Sequence, residues 1–561
     1  MGTLFDDCAS RGGATLVRLD RPFDLPGTGA TTYDLAQLAA LVEETAGWLA
    51  AAGVRARHRV AIVKDNHWDY DLLACAAVRL GAVPAQLSAH LAAEPLGTLL
   101  DRLRPRLLVT TAALLARHRA AGVDPARLAA RTVLLDGTAQ GATSVDELRG
   151  ARAPGPRRRC PDEPLVINHT SGTTGVPKLV VHSTRTIIHK LARFEAFRYP
   201  RIGVRRDDTV VNASSYAHGR TFCWTASVFC LAPKEIAVLT GTDPEAADLF
   251  LRAHPPTVLE ALPSVYGRLA PLTRRLDQPF HRVRLFVSTY DAVHPPTLRA
   301  FLGATRRRGA VWMQGWGQTE TGPLTFRFHT RRALRRADAA AAAGDPGHDG
   351  TPGGASDRGG AAGGGAAGGT WWSGGGQDAR DLGRPVPFKT RLRVVDPVTF
   401  APLPPGRAGL LLARTAARAP TYLGERERWL AKDRDGWWNT GDIGVRDRSG
   451  TIRLLDREVD HTPGTSCLQL EDLLEDRLPW LRECVVLTPP GQEPVPVLVT
   501  DDGAFDRADY KRAVADLPPL AEPVVRAEDS IPRTGTGKVR RHALLEQLTG
   551  RRDTAGSGRW T

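Results

Sequence analysis

His169-Thr-Ser-Gly-Thr-Thr-Gly-Val-Pro-Lys178 directly follows the apolar run Leu165-Val-Ile167. A short buried strand that runs into a loop dense in hydroxyls and glycines lets backbone N–H groups approach phosphate oxygens, and Lys178 adds a mobile positive charge. It is not a Walker loop, because Pro177 precedes the lysine and neither Ser nor Thr follows it. Taken alone, such a stretch reads more often as an ordinary loop.

Working outward, the same strand-then-helix rhythm recurs. Leu35, Leu38, Val42 and Leu49 fall on one helical face, and a short apolar strand is expected over 60–63, after Gly53. A helix through Leu72, Leu73 and Val78 follows, then a buried strand over 107–109. The alternation continues through strands at 165–167, 257–259 and 283–288. It predicts an α/β fold of mostly parallel sheets covered by helices. A chain of 561 residues exceeds the usual single-domain range, so a large body plus a smaller domain is expected.

Two composition changes mark the plan of the chain. Residues 339–376 are Ala and Gly with scattered Asp, Ser and Pro, too poor in large apolar residues to build a core, and read as a disordered surface insertion. Trp371-Trp372 within it is either a docking element or makes a transient contact with the host domain. Regular structure resumes at 391–395, and Pro404-Pro405-Gly406 marks a tight turn. After Asp456 the pattern becomes a helix over 468–478, strands over 484–487 and 495–499, and a last helix over 542–548. The expected division is a body of residues 1–456, a small α+β domain of residues 457–548 and a frayed tail of residues 549–561.

Composition narrows the function classes. No apolar run approaches the roughly 18 residues of a membrane span, and residues 1–13 hold Asp6 and Asp7 without an apolar core, so neither a membrane protein nor a secretory signal is expected and the cytoplasm is. The seven cysteines, at 8, 75, 160, 223, 230, 467 and 484, form no CxxC pairs and read as packing residues. The net charge of +14 comes from arginine spread along the chain, without a basic block interleaved with aromatics, so nucleic acid is not expected as a partner. Phosphate-bearing ligands or an acidic carrier protein suit that charge equally well.

Further segments repeat the chemistry of the opening loop. Gly315-Trp-Gly-Gln-Thr-Glu-Thr-Gly322 sets a flat aromatic, a hydroxyl and a carboxylate between glycines: Trp316 can stack on a purine, Thr319 can contact phosphate and Glu320 can hold a hard cation. Trp437-Trp-Asn-Thr-Gly-Asp442 ends on a carboxylate able to accept both ribose hydroxyls, and Arg457 can add a donor to the same sugar. Pro532-Arg-Thr-Gly-Thr-Gly-Lys538 carries a lysine on a glycine loop. Singly, each has a structural reading as a turn, a core aromatic or a solvated charge.

Together, and in this order, these segments resemble the adenylate-forming superfamily of acyl-CoA synthetases, aryl-acid and nonribosomal adenylation domains, and luciferases. The resemblance runs from Thr32-Tyr-Asp-Leu to Leu544. It implies that a carboxylic acid, aryl or small and polar, is activated by ATP as its acyl-AMP with release of pyrophosphate. It implies that Thr170, Ser171, Gly172, Thr173 and Thr174, with Lys178, hold the β- and γ-phosphates, and that Glu320 holds Mg2+. Lys538 is then the principal catalytic residue, bridging the substrate carboxylate and the α-phosphate, with Thr319 and His218 beside it. The small domain would rotate between two half-reactions, the second passing the acyl group to CoA or to the phosphopantetheine thiol of a carrier protein.

The departures fall where the second step and the substrate are decided. Relatives carry Asp or Lys two residues after the hinge arginine, where this chain has Val459; Gly464 follows Arg457 about two residues early, and Asp460 can supply a polar group instead. That keeps a non-thiol second step open, either amide formation or nitrite-dependent diazotisation of an arylamine. A catalytically silent nucleotide-binding homologue is the remaining alternative. For the acyl pocket, Tyr216-Ala-His218-Gly-Arg220 resembles the segment where aryl-acid-activating relatives place Ala-His-Asn. His218 reads as pocket or core, and Gly219 as extra room. Arg220 can pair with a second substrate anion or point outward. Asp291 can recognise an amine or hydroxyl, or cap the chain locally.

Overall fold

The computed structural model describes residues 1–170, 177–241, 243–289, 291–342, 380–457, 466–489, 491–500, 503, 505–534 and 538–550. Three sheets organise them.

The first has eight strands, in the order Thr421–Tyr422, Leu179–Ser183, Pro164–His169, Val83–Ser88, Arg59–Lys64, Leu107–Thr110, Thr132–Leu134 and Thr143–Ser144. From Pro164–His169 onward all neighbours are parallel, and Leu179–Ser183 folds back antiparallel on Pro164–His169. Residues 60–64 and 83–88 are buried throughout, as strands covered by helices on both faces must be. The helix Leu35–Ala51 begins where Asp34 and Gln37 exchange side chain-to-backbone hydrogen bonds in a capping box, and it buries Leu35, Leu38, Val42 and Leu49 as its sequence period requires.

The second sheet has fourteen strands and changes character midway. Leu16–Leu19, Glu235–Val238, Thr209–Ala213, Val258–Ala261, Leu285–Ser288 and Val311–Gln318 run parallel. From Gly322–Thr330 to Ile452–Arg457 every pairing is antiparallel. The alternation that predicts parallel strands ends at 288, and the sheet turns antiparallel beyond Val311–Gln318. Short turns at 404–406, where Gly406 has φ +87, and at Asp435-Gly436, both with positive φ, join neighbours directly and leave no room for a crossover helix.

Residues 466–550 build a three-stranded sheet of Glu483–Leu487, Val495–Val499 and Val524–Arg526. The helices Cys467–Arg477, Arg507–Val514 and Arg541–Thr549 accompany it. Its apolar clusters, around Leu470, Leu474 and Cys484 and around Val497, Ile531 and Leu544, take no residue from before 467. Polar contacts tie it to the body: His294 Nδ1 to Asp472 Oδ1 at 2.7 Å, Arg299 to Asp476 at 2.5 Å and Arg268 to Glu528 at 3.0 Å.

Two smaller expectations change. A helix, Arg331–Ala342, occupies the start of the segment read as disordered from 339; Trp371-Trp372 and the rest of that segment lie outside the described residues. Cys75, Cys223, Cys467 and Cys484 are buried and Cys8 half-buried, as packing residues are, whereas Cys160 and Cys230 are exposed. Among the described residues no helix is long and apolar enough to cross a membrane.

Candidate functional site

Parallel strands deliver their carboxyl ends to one edge, where α/β sheets place ligands. Pro164–His169 leads to Thr170 and Lys178, Thr209–Ala213 to His218, Leu285–Ser288 to Asp291, and Val311–Gln318 to Thr319 and Glu320. The ends of the phosphate-type loop are pinned to each other. Thr170 N donates to Lys178 O at 3.0 Å, and Lys178 N donates to Thr170 Oγ1 at 3.0 Å. Ser171, Gly172, Thr173 and Thr174 lie outside the described residues.

Behind this loop sits a charged cluster around Glu320. Its side chain is buried, and Oε1 accepts a 2.5 Å hydrogen bond from the hydroxyl of Tyr422. Burial pushes Lys178 down to about 8, helped by the positive charges of Lys432 and Arg428 and opposed by Glu320. His182 is pushed down to about 4 by burial and is therefore neutral beside the same carboxylate. Among the described residues no group of three or more His, Cys, Asp or Glu side chains converges to hold a metal ion. One buried carboxylate suits Mg2+, which is commonly shared between one or two carboxylates and substrate phosphates.

Gln318 links this cluster to a second carboxylate. Its Nε2 donates to Thr440 O at 2.7 Å and to Asp442 Oδ2 at 3.1 Å, while its Oε1 accepts from Trp438 Nε1 at 3.1 Å. Asp442 is 3% exposed and pairs across two strands with Arg457, whose Nε is 3.7 Å from Oδ1. Burial raises its carboxyl above the usual range, against the pull of Arg457, Lys432 and Lys538.

Asp442 and Arg457 line a cleft of about 290 Å³ together with Trp316, Gln318, Asp291 and Lys538. The cleft lies between the body and residues 466–550. Lys538 closes a small loop, its N donating to Thr534 Oγ1 at 3.2 Å while Thr534 N donates to its carbonyl at 2.8 Å. Withdrawal from water lowers the pKa of its amine; Asp291 and Asp442 oppose that shift. Trp316 also packs against the cluster of Leu324, Leu382 and Leu392, so it serves the core and the cleft at once.

The acyl-pocket expectations fare unevenly. His218 is the N-cap of the helix Gly219–Leu231: its Nδ1 accepts from Arg220 N at 3.2 Å, and its Nε2 lies 3.5 Å from Thr319 Oγ1. It therefore combines the structural and the site reading, and burial with the nearby Lys538 charge pushes it down to about 3, keeping it neutral. Gly219 does not open room: a Cβ there would meet Asn168 Oδ1 at 2.8 Å, so the space belongs to Asn168. Arg220 neither points outward nor awaits a substrate anion. It is held by Glu195 at 2.5 Å and Glu260 at 3.0 Å, two carboxylates distant in sequence that the fold brings to one guanidinium. Asp291 is exposed, accepts from Ala292 N at 3.0 Å as a local cap and, across the cleft, opposes the lowering of the Lys538 pKa. Val459, Asp460 and Gly464 lie outside the described residues. Sequence reasoning passed over Gln318, Tyr422 and Lys432.

Comparison with known proteins bears on the same site. The family model for AMP-binding enzymes matches residues 10–353. The chain is 35% identical over 580 residues to a 3-amino-2-hydroxy-4-methoxybenzoate diazotase of Streptomyces cremeus, covering 99% of this chain and 96% of that protein. It is 32% identical over 288 residues to a 4-hydroxybenzoate--CoA/benzoate--CoA ligase of Rhodopseudomonas palustris, covering 49% of this chain and 50% of that protein. Its fold matches an anthranilate CoA ligase solved with anthranoyl-AMP, with a TM-score of 0.74 at 18% identity over 98% of this chain and 97% of that one. This chain belongs to the AMP-binding enzyme family, the adenylate-forming acid–AMP ligases that its sequence resembles.

Proposed function

We propose that the enzyme activates a small aryl acid with ATP at the cleft between the body and residues 466–550, treating residues 457–548 as a lid that alternates between two half-reactions. The observation that carries this reading is the meeting of Lys538, Asp442, Arg457 and Trp316 around one cleft. A carboxylate oxygen of the acid attacks the α-phosphorus, forming the acyl–phosphate bond, while the bond from the α-phosphorus to the bridging oxygen breaks and pyrophosphate leaves with its electron pair. Lys538 binds the oxygens on which charge grows, in a site partly withdrawn from water, where a fixed donor is worth most. Asp442 accepts the ribose hydroxyls, Arg457 adds a donor, Trp316 stacks on the base, and Thr170 to Thr174 with Lys178 take the terminal phosphates. Mg2+, held by Glu320 and the phosphates, supplies charge neutralisation when bound. Thr319 orders the approach, with His218 remaining a neutral hydrogen-bonding group beside it.

In the second step a thiol of CoA or of a carrier protein attacks the acyl carbon, and AMP departs. A second reading, diazotisation of an arylamine with nitrite, is favoured by one specific observation: the identity shared over 99% of this chain with a diazotase acting on an aminobenzoate. The experiment is pyrophosphate release across benzoic, cinnamic, amino-aryl and short-chain acids, each with CoA or with nitrite plus the arylamine. Release that requires both nitrite and an arylamine selects the second reading. Absence of ATP–pyrophosphate exchange with every acid, with nitrite included in the panel, would sink adenylation itself.

A further inference from the structure

We propose that Lys432 is a third phosphate-contacting lysine, a fixed cation on the body that complements Lys178 and Lys538. The inference rests on the adenylating function proposed above.

The main chain at 432 is clamped, since Asn439 N donates to Lys432 O at 2.8 Å and the next residues, Asp433–Arg434, pair with Trp437–Arg446. Its ammonium turns back over the segment that presents Asp442. Nζ donates to Asn439 O at a long 3.4 Å and lies 5.5 Å from the centre of the Trp438 ring. Gly441 has φ +72, and a Cβ there would lie 3.8 Å from Nζ, so the amine sits directly over that turn. The carboxylates it senses are Glu320 first and Asp442 second. The amine over Gly441 thus lies beside the residue that precedes the carboxylate assigned to ribose, and the phosphates of a bound nucleotide must span the interval from there to the carboxylate assigned to the metal ion.

Donor supply agrees with this placement. A lysine ammonium has three N–H donors, and among the described residues the Asn439 carbonyl is the one acceptor that Lys432 meets. Beside it Arg428 commits NH1 to Glu425 at 3.0 Å, while its Nε is buried with no hydrogen-bond partner among the described residues. Lys432 is also the neighbouring charge that depresses Lys178 most. Cations pressed together at this cost are stabilised by a polyanion between them, and phosphate oxygens fill the remaining donors.

The test is equilibrium binding of ATP, and separately of adenosine, to the full chain and to Lys432→Met and Lys432→Arg. ATP should bind about 10- to 100-fold more weakly to Lys432→Met, as expected for one lost charge-assisted contact. Adenosine affinity should be unchanged, and Lys432→Arg should recover most of the loss for ATP. Unchanged ATP affinity overturns the inference. Equal weakening of ATP and adenosine overturns it too, because Lys432 would then only prop the turn at Gly441. A wild-type chain that binds no ATP instead refutes the adenylation reading on which the inference stands.

Discussion

Lys538→Ala separates chemistry from folding at this site. The lysine stands in the cleft wall with Asp442 and Arg457, and withdrawal from water lowers its pKa despite the opposing carboxylates of Asp291 and Asp442. A single preorganised donor that meets developing charge in such a setting is worth about 10²–10³-fold in rate, or roughly 3–4 kcal/mol. The substitution should therefore lower ATP–pyrophosphate exchange by about two to three orders of magnitude. ATP affinity should hardly move, because the contact matures only in the transition state. The fold should not suffer either. A lysine whose folded pKa lies below its unfolded value destabilises the fold wherever it is protonated, fully so below the folded pKa. Removing it is neutral or mildly stabilising at pH 7. The same shift makes wild-type exchange fall as pH rises through a value below the ordinary lysine range, and the variant loses that limb. Exchange that survives Lys538→Ala at the wild-type rate would refute the assignment, and a large loss of thermal stability would show that the lysine had a structural task.

The other predictions concern charge and strain. Glu320→Gln should raise the Mg2+ concentration needed for half-maximal exchange by about tenfold or more, and a magnesium titration at fixed ATP checks it. Asp442→Ala removes the acceptor for two hydroxyls and leaves Arg457 without that carboxylate; KM for ATP should rise about 10- to 100-fold while KM for the acid stays put. Asp472 and Glu475 hold His294 raised to about 10, so the attachment of residues 466–550 to the body should be strongest below the unfolded value of 6.5 and weaken as pH rises toward 10. Limited proteolysis or hydrogen exchange across that range should show this weakening in the wild type and not in His294→Ala. Phe388 is fully exposed with φ +59, a conformation costing a bulky residue about 1–2 kcal/mol. Phe388→Gly should therefore leave the protein as stable or slightly more so in thermal unfolding, since relief of strain offsets the extra entropy of glycine.

The parts of this molecule legible in its sequence share a short range. A strand over 165–167, a helix through Leu35 and Leu49 and the helix near 468–478 are set by local period and capping, and the fold keeps all three. Gln318 was recoverable by the same reasoning: it lies two residues after Trp316, at the end of the strand Val311–Gln318 and inside the segment already read as part of the site. Tyr422 was not, because it meets Glu320 across 102 residues and nothing near it predicts that contact. Arg220 failed for the same physical reason. Its partners Glu195 and Glu260 come from different elements, and pairing that closes only in the folded chain leaves no local mark. The antiparallel stretch after Gly322 was readable in principle from its turns, but apolar strands do not announce their direction.

On the roles proposed above, the first half-reaction draws on the body plus Lys538, so relatives with different acceptors can share it. Asp442, Glu320, Gln318 and Lys178 sit on strands or strand ends whose backbone is fixed by sheet pairing. Activation of an acid therefore depends little on what attacks the adenylate afterwards. On the same reading the acceptor is chosen at the cleft between the body and residues 466–550. Asp291 bears directly on this. It lines the same cleft as Lys538 and favours its charged form, so a substrate amine that paired with Asp291 would weaken that support. An arylamine substrate would then raise the dependence of the reaction on Asp291 in a way a plain benzoate does not. Asp291→Asn should lower turnover of an aminobenzoate more than that of benzoate under identical ATP and acceptor. Equal effects on both would show that Asp291 serves the lysine alone and leaves recognition of the ring to the rest of the pocket.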